Sequence, residues 1–239
     1  MRFDILSANP KILESSLKNG LIARVENKGL IKTYVHDLRD YATGKYKQID
    51  DLPYGGGSGM VLKPEPFFRC IEKLISEREY DDKIYLSPQG LMYNQKIAND
   101  FSLKKNLILI CGHYKGVDER VIEKFVTKEI SIGEYVLSSG DIAALVFIDS
   151  ISRLIPGALG DGESAITDSY QVETGFDNPQ YTRPEVYSKL KVPDVLLSGN
   201  HAEIKKWREE KAYDKYKRTK KKNMPDKLWS INVVRQIII

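Results

Sequence analysis

Apolar residues recur along the chain in two periods, and the period changes several times. Alternation or short apolar runs predict strands over 2–7 (RFDILS), 32–37 (KTYVHD), 83–86 (KIYL), 107–111 (LILIC) and 127–132. Three-to-four-residue spacing predicts helices over about 10–22, opened by Pro10, over 64–80 and over 94–103. Further helices follow over about 118–126, 140–154 and 201–218. In the helix after Pro64, Phe67, Phe68, Ile71, Leu74 and Ile75 share one face. Leu107–Cys111 has no polar interruption, as expected of a strand covered on both faces. Strands alternating with helices predict an α/β fold, a mostly parallel sheet with helices on both faces.

The pattern fades from 156 to 200, where Pro, Gly, Asp, Ser and Thr dominate. A long segment without periodicity inside a compact chain is usually functional or a linker. The expected organisation is a first domain over 1–160, a linker over 161–175 and a small helical domain over 176–239. Asn200 is placed to cap the last helix, with Glu203 completing a capping box around His201.

Composition changes this picture little: 41 % apolar and 29 % charged residues are ordinary for a globular protein. No stretch approaches the roughly 18 apolar residues of a membrane span, and the N-terminus, with Asp4 and Pro10, lacks a signal-peptide core. Cys70 and Cys111, each among apolar neighbours, read as buried thiols in a reducing compartment, and the expected location is the cytoplasm. The net charge of +4 divides unevenly. Residues 201–239 hold twelve Lys or Arg against five Asp or Glu, a balance of +7, which leaves −3 for the other 200. Such a basic end suits a polyanionic partner, or serves as a solubilising tail.

Three segments carry candidate chemistry: SPQG (87–90), CGHYKG (111–116) and SIGEYVLSSGD (131–141). Each follows a strand and is rich in Gly, Ser or Pro. Ligands of parallel sheets bind beyond the carboxyl ends of the strands, where such loops expose backbone N–H and C=O groups. Tight strand-to-helix turns look similar singly; three on one rim suggest a cofactor pocket. The run PYGGGSGM (53–60) lacks the Lys-Ser/Thr of a Walker loop and does not fit GxGxxG, so it is no nucleotide fingerprint. It reads as a substrate-facing loop or a plain turn.

PYGGGSGMV (53–61), SPQG, CGHYKGVDERV (111–121), EISIGEYVLSSGD (129–141), RLIPGALG (153–160), PQYTRPEV (179–186) and VPDVLLSGNHAEIKKWR (192–208) extend these motifs. In this order the chain resembles the bacterial tRNA (guanine-N1)-methyltransferase family, of the SPOUT class. The resemblance implies a deep trefoil knot in the first domain, a helical second domain that binds tRNA, and a homodimer with its active site at the subunit interface. It implies methyl transfer from S-adenosylmethionine to N1 of the guanine at position 37 of tRNA.

By motif, the implied cofactor-binding residues are Tyr85, Leu86, Ser87, Pro88, Gln89, Gly90, Gly112, Tyr114 and Gly116. The third loop adds Ile132, Gly133, Glu134, Tyr135, Val136, Leu137 and Gly140, and Asp177 lies before the PQYTRP run. The implied catalytic pair is Asp168, as the base for N1–H, and Arg153, stabilising charge on O6. Two departures stand out. The family's CGRYEG loop here carries His113 and Lys115, and Ser139 replaces a Gly. Lys115 puts a cation where an acid would face the methionine end of the cofactor. No zinc-type ligand cluster is visible, and carboxylates would recruit Mg²⁺ only weakly. A non-catalytic RNA-binding protein of the same fold is the main alternative; a nucleotide hydrolase built on PYGGGSGM is disfavoured by its missing lysine.

Overall fold

The computed structural model describes residues 1–159 and 177–222. The chain separates into two compact units, dividing between 165 and 166.

The first unit is built on a five-stranded sheet in the order β2-β1-β6-β5-β7, every pairing parallel. The strands are β1 (Arg2–Ser7), β2 (Lys32–Asp37), β5 (Asp82–Met92), β6 (Asn106–Cys111) and β7 (Lys128–Ser131). A two-stranded ribbon, β3 (Asp50–Asp51) with β4 (Val61–Leu62), stands apart from it. Helices α1 (Lys11–Leu17), α2 (Gly20–Asn27), α4 (Gln95–Ser102) and α6 (Gly140–Ser152) cover one face; α3 (Pro64–Glu77) and α5 (Glu119–Phe125) cover the other.

The central strand shows why LILIC needs no polar position. Leu107, Leu109 and Cys111 pack with Phe147 and Ile151 of α6, while Ile108 and Ile110 pack with Phe67 and Ile71 of α3. All five are buried, each stabilising the fold by about 1.5–3 kcal/mol for a side chain of Leu or Ile size.

Two expectations change in detail. The helix expected over 10–22 is two helices, because Gly20 takes φ +67 and breaks the run. The strand expected to end at Leu86 runs to Met92: Leu86 and Leu91 both pair with Ile130, so residues 87–90 bulge out between two turns of the same ladder.

A carboxylate sits inside the core at the start of the sheet. Asp4, fully buried on β1, accepts from Arg2 Nε at 2.6 Å and Tyr80 Oη at 2.7 Å, with His36 Nε2 at 2.8 Å. Burial by itself would raise the Asp4 pKa; the bonds from His36, Arg2 and Tyr80 outweigh it and hold the carboxyl below its ordinary 3.8. A depressed pKa means stability that is present above the unfolded-state value and lost as pH falls through the folded one. Asp4→Ala is therefore expected to cost about 2 kcal/mol at neutral pH, by taking the shared acceptor from the half-buried Arg2, His36 and Tyr80. Chemical denaturation at pH 7 and again near pH 3 checks this; the gap from wild type should shrink in acid.

In the second unit a hairpin, Val186–Tyr187 with Leu190–Lys191, precedes a short helix, Asp194–Leu197, and a long one, His201–Lys222. Asn200 caps the long helix as expected, its Oδ1 accepting from the N–H groups of Ala202 (3.2 Å) and Glu203 (3.4 Å). Tyr181 packs on Trp207 of that helix, with ring centroids 6.2 Å apart, and Lys205, Lys206, Arg208, Lys215, Lys217 and Arg218 are exposed.

Candidate active site

A cavity of about 340 Å³ lies beyond the carboxyl ends of β6 and β7 and against the detour of β5 at Ser87 and Pro88, within the usual size range of small-ligand sites. All three Gly-rich loops line it. Their meeting point is a backbone crossing. The Gly140 N–H donates to the Gly112 carbonyl at 2.8 Å, and a Cβ on Gly140 would lie 2.9 Å from Cys111 Cα and 3.0 Å from Gly112 N. Only glycine lets the start of α6 reach the end of β6 this closely.

Below the crossing, Asp141 fixes the first turn of α6. Its carboxyl, 1 % exposed, accepts from Ser7 Oγ at 2.6 Å. Burial, then the Asp141 carboxyl alongside, push the Cys111 thiol well up, so Cys111 stays a neutral, inert thiol. The helix N-terminus favours a negative group at Asp141.

Tyr85 forms the floor. Burial raises its phenol pKa, and the hydroxyl packs against glycine backbone: a Cβ on Gly112 would sit 3.0 Å from Tyr85 Oη, and one on Gly116 3.3 Å. In the third loop, Tyr135 lies over Gly133, where a Cβ would come within 2.1 Å of its ring, and Tyr135 Oη donates to the Ile132 carbonyl at 3.3 Å.

Of the residues expected to hold a cofactor, thirteen line the cavity: Tyr85, Leu86, Ser87, Pro88, Gly112, Tyr114, Gly116, Ile132, Gly133, Tyr135, Val136, Leu137 and Gly140. Gln89, Gly90 and Glu134 do not. Gly90 serves the sheet instead, since its Cβ would fall 2.5 Å from the Glu129 carbonyl carbon. Glu134 is exposed. Asp177 belongs to the second unit, where its carboxylate accepts from Asn178 N at 2.7 Å and Gln180 Nε2 at 3.3 Å. Arg153 ends α6, whose other end lines the cavity, so within one chain it lies roughly 20 Å along the helix from it. Asp168 lies outside the described residues.

Both departures from the family pattern are at this cavity. Lys115 lines it, but its aliphatic stem runs against Gly59, whose Cβ would meet Lys115 Cγ at 3.0 Å. The same loop holds the base of the Gly-rich arm: Lys115 N–H donates to Met60 C=O and Leu62 N–H to Gly116 C=O, each at 3.0 Å. Beyond that base Tyr54 is fully exposed, and Gly55, Gly56 and Gly57 all have positive φ in open space. Ser139 is buried, and its hydroxyl has no hydrogen-bond partner. His113, Ile130, Ser131, Ser138 and Ala143 also line the cavity; the motifs named none of them as binding residues, though His113, Ser131 and Ser138 each adjoin one that they did.

Among the described residues, the lining carries Lys115 and no carboxylate, and no three His, Cys, Asp or Glu side chains form a metal-sized group. The donor set suits a flat, uncharged heterocycle: glycine backbone, three tyrosines and the apolar Ile132 and Leu137. It thus fits the adenosyl part of S-adenosylmethionine; the ammonium would need a carboxylate from elsewhere.

Comparison with known proteins agrees with this geometry. The family model described as tRNA (Guanine-1)-methyltransferase TrmD matches residues 1–228. The chain is 53 % identical over 215 residues to the tRNA (guanine-N(1)-)-methyltransferase of Chlorobaculum tepidum, covering 90 % of this chain and 93 % of that one. It is 52 % identical over 218 residues to that of Christiangramia forsetii, covering 91 % and 96 %. The crystal structure of tRNA (m1G37) methyltransferase from Aquifex aeolicus superposes with a TM-score of 0.75 at 37 % identity, over 93 % of this chain and 92 % of that one.

Proposed function

Since the chain belongs to the tRNA (guanine-1)-methyltransferase family, it is a tRNA (guanine-N1)-methyltransferase, and we propose that it methylates N1 of guanine 37 with S-adenosylmethionine as donor. The observation that carries the reading is the cavity at the sheet's carboxyl rim, built from three loops of a chain that the family model spans almost whole. Bound there, S-adenosylmethionine supplies an electrophilic methyl group on a sulfonium sulfur.

The residues then have separable tasks. Gly112, Gly116 and Gly140, having no side chains, would let the backbone come close to the adenine, with Tyr85, Ile132 and Leu137 around it. Glu134 or Asp177 would be the carboxylate that offsets Lys115 at the methionine end. Guanine N1 carries a proton at neutral pH and is a poor nucleophile until it is removed. Asp168 would accept that proton, freeing N1 to take the methyl group that the bound donor would supply. Arg153 stabilises the negative charge that shifts to O6. Mg²⁺, if used, is recruited weakly by carboxylates rather than by a dedicated cage.

A homodimer, with the trefoil knot of the class in each copy, belongs to this reading. Leu91 and Met92 at the end of β5, Val136 of the third loop, and Ile142 and Val146 of α6 leave apolar surface exposed. Helix α6 is apolar nearly all round, a pattern that calls for cover on every side. A second copy on this surface would let one chain's Arg153 and Asp168 serve the other's cavity. The exposed basic residues of the last helix are assigned to tRNA phosphates, and the location to the cytoplasm. No helix among the described residues is long and apolar enough to cross a membrane.

Two measurements test the reading. Calorimetry should detect S-adenosylmethionine binding and no ATP binding. Methyl transfer to a tRNA transcript should vanish when guanine 37 is replaced. Transfer that survives the replacement would refute the position; RNA binding without any transfer would favour the non-catalytic alternative.

A further inference from the structure

The turn His113–Gly116 on the cavity rim has a backbone that side chains resist. The Gly116 N–H donates to the His113 carbonyl at 3.0 Å and closes the turn. Its first central residue, Tyr114, has φ +58. Turns with positive φ at that position draw on Gly, Asn or Asp, and a bulky residue persists there only where its surroundings over-determine it. Half of Tyr114 is exposed, so the core does not hold it.

His113 does. The Tyr114 N–H donates to His113 Nδ1 at 2.7 Å, and the two rings lie against each other at a tilt, 4.4 Å between centroids and 32° between planes. The His113 backbone is in turn bridged to Ser139 of the third loop. An imidazole nitrogen accepts only when it carries no proton, so the ring hydrogen sits on Nε2.

We propose that His113 is a positioning residue: its Nδ1 locks Tyr114 in the left-handed conformation and so sets the wall that Tyr114 presents to the cofactor. The proposal rests on the reading of this cavity as the S-adenosylmethionine site. It assigns a task to a position where the family's usual Arg, having no acceptor, would need another device.

Three variants separate the acceptor from the ring. His113→Asn keeps an acceptor the same number of bonds from the backbone; His113→Phe keeps a ring and loses the acceptor; His113→Ala loses both. Calorimetry with S-adenosylmethionine should show binding weakened roughly five- to tenfold for Phe and Ala, the equivalent of one hydrogen bond, with Asn recovering most of it. In turnover assays the KM for S-adenosylmethionine should follow the same order while the KM for tRNA stays put. Phe binding like wild type, or Asn as weakly as Ala, overturns the proposal. So does collapse of all three variants in thermal melts, which would make His113 a folding residue. Wild-type protein that does not bind S-adenosylmethionine would instead overturn the reading of the cavity, and this inference with it.

Discussion

Asp168→Ala is expected to lower methyl transfer by about two to four orders of magnitude while leaving S-adenosylmethionine affinity unchanged. The size follows from the task. A positioned general base contributes on that order, and guanine N1 cannot attack while its proton remains. Asp168→Asn should be as slow, since an amide has the carboxylate's shape and not its basicity. Arg153→Ala should lose less, on the order of a hundredfold, because a single donor to a developing oxyanion contributes about that much. Single-turnover assays beside calorimetry separate chemistry from binding. Near wild-type turnover in Asp168→Ala with cofactor binding intact would remove Asp168 as the base.

Gly90→Ala is expected to have the largest effect on stability, roughly 3 kcal/mol or more, although Gly90 touches no ligand. A Cβ there would lie 2.5 Å from both the Glu129 carbonyl carbon and Ile130 N. Both are backbone atoms of a paired strand, so no side chain can swing aside. Strand β5 must instead lift from β7, where Leu91 and Met92 pair with Ile130 and Ser131. Thermal unfolding checks this, with Gly55→Ala as the contrast. Gly55 meets nothing within 4 Å, so its cost is confined to its positive φ.

That contrast marks what could be read without coordinates. LILIC announced a strand covered twice, and the three loops after strands announced a rim, because apolar runs and loop glycines are local signals. The break at Gly20 was equally local in cause but hidden, since a helix pattern runs through it on both sides. The return of β5 to its ladder at Leu91 was out of reach: SPQG has turn chemistry, and the partner that reclaims the strand is forty residues away. The task of Asp4 was not legible, for nothing in RFDILS says that His36 and Tyr80 will converge on it. His113 stood out only as a departure, since its task depends on the φ of its neighbour. Asp168 and the use of Arg153 came from the motifs alone.

The four residues between Leu86 and Leu91 leave the sheet and return to the same rung, Ile130. The sheet therefore does not count them. Changes at Ser87 and Pro88 can reshape one wall of the pocket without sliding any strand past its neighbour, while Gly90 closes the detour. The shape of the pocket wall and the integrity of the sheet thereby rest on different residues of one short segment, so a change in the first need not disturb the second.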